Sequence, residues 1–166
     1  MKGTDKFLIG VVVGVLALVC VASAVVLLRP KPTYLGEDTP EGVAHNYLFA
    51  LHQKEYARAY SYLSPALTGY PKSLEAFAEN IRRDAYSFPI DDDSITLEVQ
   101  PGRGIAITSE TVEVPVRETR FFGGGLFSSE SSSTFTMDLK RENGAWRIIS
   151  SDSYFVTCWT ARDGCR

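Results

Sequence analysis

The chain begins with one long apolar run and continues with shorter segments in which apolar and polar residues alternate. Residues 7–28 (FLIGVVVGVLALVCVASAVVLL) contain no charged side chain over 22 positions. As a helix this run reaches about 33 Å, enough to cross a hydrocarbon core of about 30 Å. We therefore predict a transmembrane helix over 7–28, preceded by a short cytoplasmic tail over 1–6 and followed by a linker over 29–38.

Three other interpretations of the apolar run stay open. Ala22-Ser23-Ala24 has the small-x-small form of a signal peptidase site, although the run is longer than the apolar part of a usual signal peptide. Cys20 is a candidate for lipid attachment, although lipid-modification signals place a smaller residue than Val19 before the cysteine. A buried core helix is the third, and the basic residues flanking the run disfavour it.

The segment from residue 39 to residue 85 has apolar residues at helical spacing. Thr39-Pro40-Glu41 has the composition of a helix start, with a hydroxyl cap, a proline at the first position and an acid in the first turn. We predict a second short helix over 55–63 and a third that begins near Ser73. Their apolar faces comprise Val43, Ala44, Tyr47, Leu48 and Leu51, then Tyr56, Ala59, Tyr60 and Leu63, then Leu74, Phe77, Ala78, Ile81 and Ala85.

After Phe88-Pro89 the period changes from about 3.6 to 2, which predicts strands. Pro115 lies in the middle of one such run, so that strand is expected at a sheet edge or with a bulge. Glu142-Asn143-Gly144 predicts a tight hairpin between the last strands. We predict an α+β domain over 39–166, with about three helices packed on a curved antiparallel sheet of four to six strands.

Two stretches resemble nuclear transport factor 2-like domains. TPEGVAHNYLFALHQKEYARAYSYLSP (39–65) is similar to the two opening helices of that superfamily, and GAWRIIS (144–150) is similar to its last strand. The resemblance covers about 39–157 and is nearest to bacterial membrane-anchored members of unassigned function. It implies a cone with a pocket between helices and sheet. The superfamily includes isomerases, dehydratases, cyclases and binding modules, so the fold alone does not choose a function.

Charge and cysteines indicate where the domain lies. Beyond residue 31 the chain has 13 basic and 19 acidic residues, which disfavours nucleic-acid binding. Lysines and arginines are balanced around the apolar run and leave its orientation open. Cys158 and Cys165 can form a disulfide, which persists in oxidising compartments. We therefore predict a single-pass protein of the cell membrane, with a cytoplasmic N-terminus and an extracytoplasmic domain.

The search for chemistry identifies no catalytic residue, metal site or cofactor. His45 and His52 lie about 10 Å apart along a helix, too far to share a metal ion. Asp91-Asp92-Asp93 lacks the alternation of a calcium loop. An isomerase of this fold needs an inward carboxylate opposite a tyrosine or acid, and the pleat places Glu98, Glu113 and Asp138 outside. The candidate pocket-lining residues are Tyr47, Tyr60, Phe77 and Trp146.

The segment FFGGGLF (121–127) places four large apolar residues around three glycines, where the strand pattern stops. Its candidate contact residues are Phe121, Phe122, Leu126 and Phe127. The main functional expectation is a membrane-tethered, non-catalytic module that binds a small apolar ligand, a protein partner or a second copy of itself. The alternatives are an assembly component of an envelope or secretion complex and an isomerase- or cyclase-like enzyme.

Overall fold

The computed structural model describes residues 2–27, 33–108, 110–123 and 129–165, which fall into two compact units. The first unit is Met1–Thr33 and the second is Tyr34–Arg166. In chain order the elements are α1 Lys2–Leu27, α2 Pro40–His52, α3 Tyr56–Tyr62, α4 Leu74–Arg83, β1 Ile95–Val99, β2 Ile105–Ala106, β3 Thr111–Phe122, β4 Ser129–Glu142, β5 Ala145–Ser151 and a 3-10 helix Thr157–Trp159.

The first unit consists of α1, a helix of 26 residues that contains most of the apolar run. Its described side chains, those of residues 8–24, are all exposed. Among the residues that the structure describes, none of the helices has both the length and the apolar character that a membrane crossing requires.

The helices of the second unit begin where the sequence predicts. The Thr39 hydroxyl accepts a hydrogen bond from the Gly42 amide at 3.1 Å, and Pro40 occupies the first turn of α2. Ser73 caps α4 in the same way, with its hydroxyl 3.2 Å from the Ala76 amide. Each cap satisfies an amide that the first helical turn would otherwise leave without a partner. The three-helix prediction for this unit is confirmed by α2, α3 and α4.

Five antiparallel strands form one sheet in the order β1-β3-β4-β5, with β2 also paired to β3. The prediction for Pro115 is wrong, because β3 has neighbours on both sides. Pro115 lies where β1 gives way to β2, and its carbonyl accepts from the Gln100 amide at 3.0 Å. A residue without an N–H is tolerated at that gap, since no strand there requires a donor from it.

The predicted hairpin joins β4 to β5 through Asn143 and Gly144, whose φ angles are 51° and 86°. Both residues therefore adopt the left-handed conformation that a tight type I′ turn requires, which asparagine and glycine tolerate best. The hairpin returns β5 along the lower part of β4 only, with a register shift between Asp138 and Leu139. The upper part of β4, from residue 129 to residue 136, extends beyond β5.

Residues 34–38, predicted to belong to the linker, are part of the second unit. The Asn46 amide group accepts from the Leu35 amide at 2.7 Å and donates to the Leu35 carbonyl at 2.9 Å. The Arg58 guanidinium lies 3.3 Å from the centre of the Tyr34 ring, a cation–π contact. The pKa of Tyr34 is raised to about 12, mainly by burial and secondarily by its hydrogen bond to Glu55.

Candidate functional site

The space between the helices and the sheet is occupied by the chain's own C-terminal segment. Beyond β5, residues 154–156 and Trp159 are buried, and the Trp159 side chain is fully shielded from solvent. The indole stacks on Phe77 with ring centres 5.2 Å apart. It also meets the edges of Phe88 at 6.2 Å and Phe155 at 5.0 Å. This region, where the family resemblance implies a pocket, is therefore a packed aromatic cluster.

Hydrogen bonds fix the C-terminal segment at both ends. The Tyr47 hydroxyl donates to the Tyr154 carbonyl at 2.7 Å, and the Tyr154 amide donates to the Ser87 carbonyl at 3.1 Å. At the other end the Gly69 amide donates to the Trp159 carbonyl at 2.8 Å. A side chain at position 69 would overlap the Cys158 carbonyl oxygen, so the close approach of the two backbones requires glycine there.

The predicted disulfide between Cys158 and Cys165 is confirmed. Their Cα atoms lie 5.1 Å apart, within the range that a disulfide allows. The bond joins Cys158, inside the 3-10 helix Thr157–Trp159, to Cys165, so the closed loop includes Trp159 and restrains the end of the buried segment.

A buried carboxylate that sequence reasoning missed lies next to this segment. Glu118 on β3 is 6% exposed. One of its carboxylate oxygens accepts from Arg120 Nε at 2.6 Å, and the other lies 3.4 Å from the Tyr154 hydroxyl, which donates to it. The pKa of Tyr154 is raised, mainly by burial and secondarily by the nearby negative charge of Glu118. The sequence analysis found no carboxylate on the strands that faces inward, and the burial of Glu118 shows that this expectation was wrong.

The alternation along β3 contained the signal for Glu118. Val114 and Val116 are both fully buried, and the next residue of the same parity is Glu118. A period of two places all three on one face of the sheet. The carboxylate is paired and hydrogen-bonded, as a buried charge requires. Arg120 supplies the positive partner from the same face, with about half of its side chain in solvent.

The four candidate pocket residues have different environments. Tyr47 and Phe77 are both fully buried in the core, and Phe77 stacks on Trp159. Tyr60 is half-buried, stacks on Tyr70 and donates to the Pro71 carbonyl at 2.7 Å. Trp146 is also half-buried, and its indole N–H donates to the Asp38 carbonyl at 3.3 Å. Trp146, predicted to line the pocket, packs against the core from outside and keeps part of its side chain in solvent.

Two of the open clefts on the outer surface of the second unit are lined entirely by described residues. The larger, of about 630 Å³, lies along α3 and α4 and is lined by Tyr56, Ala57, Leu74 and Ala78 with charged residues around them. The smaller, of about 210 Å³, lies beside β4 and β5 and includes Ser64, Lys140 and Glu142. The Ser64 hydroxyl is already bonded to the Glu142 carboxylate at 2.8 Å.

The acidic run before β1 forms a capped turn. Asp92 accepts hydrogen bonds from the Ser94 amide at 2.9 Å and the Ser94 hydroxyl at 2.6 Å, and these bonds lower the pKa of its carboxyl. Asp91 pairs with Lys54 at 2.6 Å. Within the described ranges, no three histidine, cysteine or acidic side chains are grouped closely enough to hold a metal ion.

The candidate contact loop is described only in part. Phe121 and Phe122, at the end of β3, are 44% and 52% exposed. They pair with Glu130 and Ser129 in a hairpin that extends past β1 and β5. Leu126 and Phe127 lie outside the described residues.

Comparison with known proteins identifies solved structures that resemble this chain. No family model and no curated protein matches the chain. A nuclear transport factor 2-like protein of unknown function from Shewanella oneidensis is 9% identical, covers 66% of this chain and 90% of its own, and gives a TM-score of 0.41. A Streptomyces avermitilis protein of the same family, proposed to be a dehydratase, is 14% identical with coverage of 66% and 88% and a TM-score of 0.43.

A third structure, from Novosphingobium aromaticivorans, is a nuclear transport factor 2-like protein with a cystatin-like fold. It is 13% identical, covers 67% of this chain and 75% of its own, and gives a TM-score of 0.44. These likenesses are too distant to carry any argument about activity. By sequence resemblance and by these structures, the chain is similar to nuclear transport factor 2-like proteins.

Proposed function

We propose that this chain is a membrane-tethered, extracytoplasmic and non-catalytic interaction module that binds partners through the outer surface of its second unit. One observation carries the proposal: the region between helices and sheet is filled by Tyr154, Phe155 and Trp159. A ligand entering there would have to displace fully buried aromatic side chains. Each such side chain contributes about 1.5–3 kcal/mol or more through its burial.

The interior can be tested with an apolar fluorescent probe such as 1-anilinonaphthalene-8-sulfonate. Titration of residues 33–166 should give no saturable site for the wild-type domain. Trp159→Ala, which empties part of the same space, serves as the positive control and should gain a site. Saturable, stoichiometric binding to the wild-type domain, with its melting temperature raised, would show that the interior accepts a ligand and would overturn the proposal.

The membrane tether is the sequence-based part of the proposal. The 22-residue charge-free run extends beyond the described side chains of α1 at both of its ends. Support for an extracytoplasmic domain comes from the Cys158–Cys165 bond, since disulfides persist in oxidising compartments. An exposed domain of this kind also suits an assembly component of an envelope complex, which would use the same outer surface.

Cysteine labelling tests the tether and its orientation together. Tyr86 is 97% exposed, so Tyr86→Cys in a Cys20→Ala background offers one accessible thiol without disturbing the core. A membrane-impermeant maleimide should label it on intact cells, and alkaline carbonate should leave the chain in the membrane fraction. Labelling only after lysis would place the domain inside, and extraction by carbonate would remove the anchor from the proposal.

The second candidate function is an isomerase- or cyclase-like enzyme, favoured by the proximity of Glu118 to the Tyr154 hydroxyl at 3.4 Å. Such enzymes pair a carboxylate with a tyrosine or acid donor. Here both carboxylate oxygens already have protein partners, Arg120 and Tyr154. A structural role predicts that Glu118→Gln changes stability alone, whereas a catalytic role predicts loss of turnover with an unchanged melting temperature.

A further inference from the structure

The part of β4 from residue 129 to residue 136 has no strand paired on the side away from β3. The register between β3 and β4 fixes which backbone N–H and C=O groups point to that side. Pro115 pairs with Thr136 but directs its carbonyl to Gln100, on the opposite side of β3. The Phe121 amide, opposite Glu130, likewise donates away from β4, to the Ser94 carbonyl at 2.9 Å. Both are therefore non-hydrogen-bonded pairs, which alternate with hydrogen-bonded ones in an antiparallel ladder.

It follows that the backbone groups of Glu130, Ser132, Thr134 and Thr136 all point away from β3. Those of Thr136 are satisfied locally. Its carbonyl accepts from the Asp152 amide at 3.1 Å, and its amide donates to the Asp152 carboxylate at 3.0 Å. At Asp152 the chain leaves the sheet for the interior.

Past that point the edge has no cover among the described residues. Positions 129–134 are all exposed, and β5 pairs with β4 only from Met137 onward. The described part of the chain supplies no hydrogen-bond partner for the outward N–H and C=O groups of residues 130, 132 and 134. Native proteins usually protect such an edge with proline, lysine, a bulge or a covering loop. The stretch SESSST (129–134) contains no proline or lysine.

We propose that this edge pairs with the same edge of a second copy of the chain, antiparallel and about a two-fold axis through Ser132. In that register Ser132 faces Ser132 of the other copy, and Glu130 faces the other copy's Thr134. All three outward-facing residues of each copy then form hydrogen-bonded pairs, and the two sheets become one. A two-fold contact of this kind is self-complementary and closes at two chains.

The sequence of the edge favours a second copy as the occupant. Opposed like charges destabilise an antiparallel pair, and in this register the only charged residue of the stretch, Glu130, faces a neutral threonine. The two copies of Glu130 lie about 13 Å apart along the strands. The register also brings Ser129 opposite Phe135 of the other copy, which places the exposed Phe122, the neighbour of Ser129, on the same face as that ring.

This inference rests on the proposed function, since it names the partner and the surface of the same module. The test uses the full chain with Cys20→Ala in native membranes. Ser132→Cys should yield a disulfide-linked dimer under mild oxidation, because hydrogen-bonded partners have Cα atoms about 5.5 Å apart, within disulfide range. Ser61→Cys, an exposed serine on α3, is the matched control and should not cross-link.

Three further variants separate pairing from folding. Ser132→Pro removes an outward N–H together with the Ser132 hydroxyl, which lies 2.9 Å from the Thr119 hydroxyl, and Ser132→Ala removes the hydroxyl alone. Compared with Ser132→Ala, Ser132→Pro should abolish the dimer seen by native mass spectrometry and leave the melting temperature unchanged. Ser131→Pro removes an N–H that faces Arg120 of β3, so it should lower the melting temperature. If Ser132→Pro unfolds the chain, the assignment of outward groups is wrong.

The register has its own test in mixed samples. Glu130→Cys chains mixed with Thr134→Cys chains should cross-link more than either variant alone. Equal cross-linking of Ser132→Cys and Ser61→Cys, or a wild-type chain that stays monomeric in native mass spectrometry, would overturn the pairing. Neither result would affect the maleimide labelling at position 86 or the probe titration, so the proposed function can stand or fail separately.

Discussion

Replacing Trp159 with alanine tests the energetics of the filled interior most severely. The side chain is fully buried and touches three aromatic rings, Phe77, Phe88 and Phe155. Large-to-small changes at such tryptophans cost about 3–5 kcal/mol, because burial is lost and a cavity remains. The indole N–H has no hydrogen-bond partner among the described residues. Removing this unpaired N–H stabilises the fold by about 1 kcal/mol, so the net loss of unfolding free energy is about 2–4 kcal/mol.

For a domain of this size such a loss lowers the melting temperature by about 10 °C or more. Urea denaturation followed by circular dichroism measures the free-energy change directly, with the slope checked for two-state behaviour. Trp159→Phe is the matched control. It keeps the aromatic stacking and removes the unpaired N–H, so its loss should be much smaller. If Trp159→Ala melts within about 2 °C of the wild type, the segment does not fill the interior and the reasoning fails.

Three further variants test the contacts around this segment. Replacing Cys158 and Cys165 with serine should cost about 2–3 kcal/mol, the loop-closure value for so short a ring, measured by urea denaturation. The pKa of Asp138 is raised, mainly by burial and secondarily by the negative charges of Glu113 and Asp152. The ionised form of Asp138 therefore destabilises the fold, and the free energy of unfolding falls as pH rises above about 4. Asp138→Asn should therefore be more stable than wild type at pH 7 and no more stable at pH 3, and an equal difference at both would contradict this. Glu118→Ala should cost about 1–3 kcal/mol by removing the acceptor of the buried Tyr154 hydroxyl, and an unchanged melting temperature would show that this bond is not formed.

Local patterns predicted the elements because their causes are local. The Thr39 and Ser73 caps, the Asn143-Gly144 turn and the change of period near residue 89 all depend on neighbours within a few positions. The disulfide was predictable for the same reason, since only seven positions separate its cysteines. These features required no knowledge of how distant segments pack.

The site depended on contacts between distant segments. The sequence analysis chose Trp146 and did not single out Trp159, because only the return of the C-terminal segment between helices and sheet buries Trp159. Glu118 could have been found by continuing the alternation of Val114 and Val116 by one more step. Its partner Tyr154 is 36 residues away, so no local pattern could connect them.

The most direct test of the account is the environment of Trp159 in a chain where it is the only tryptophan. The chain has two tryptophans, so Trp146→Phe isolates its signal. Fluorescence emission and acrylamide quenching of residues 33–166 then report its exposure. A filled interior should give blue-shifted emission that acrylamide barely quenches and that added apolar ligands leave unchanged. Emission at the wavelength of indole in water, with quenching as efficient as in the unfolded chain, would show that Trp159 is exposed and that the interior is open.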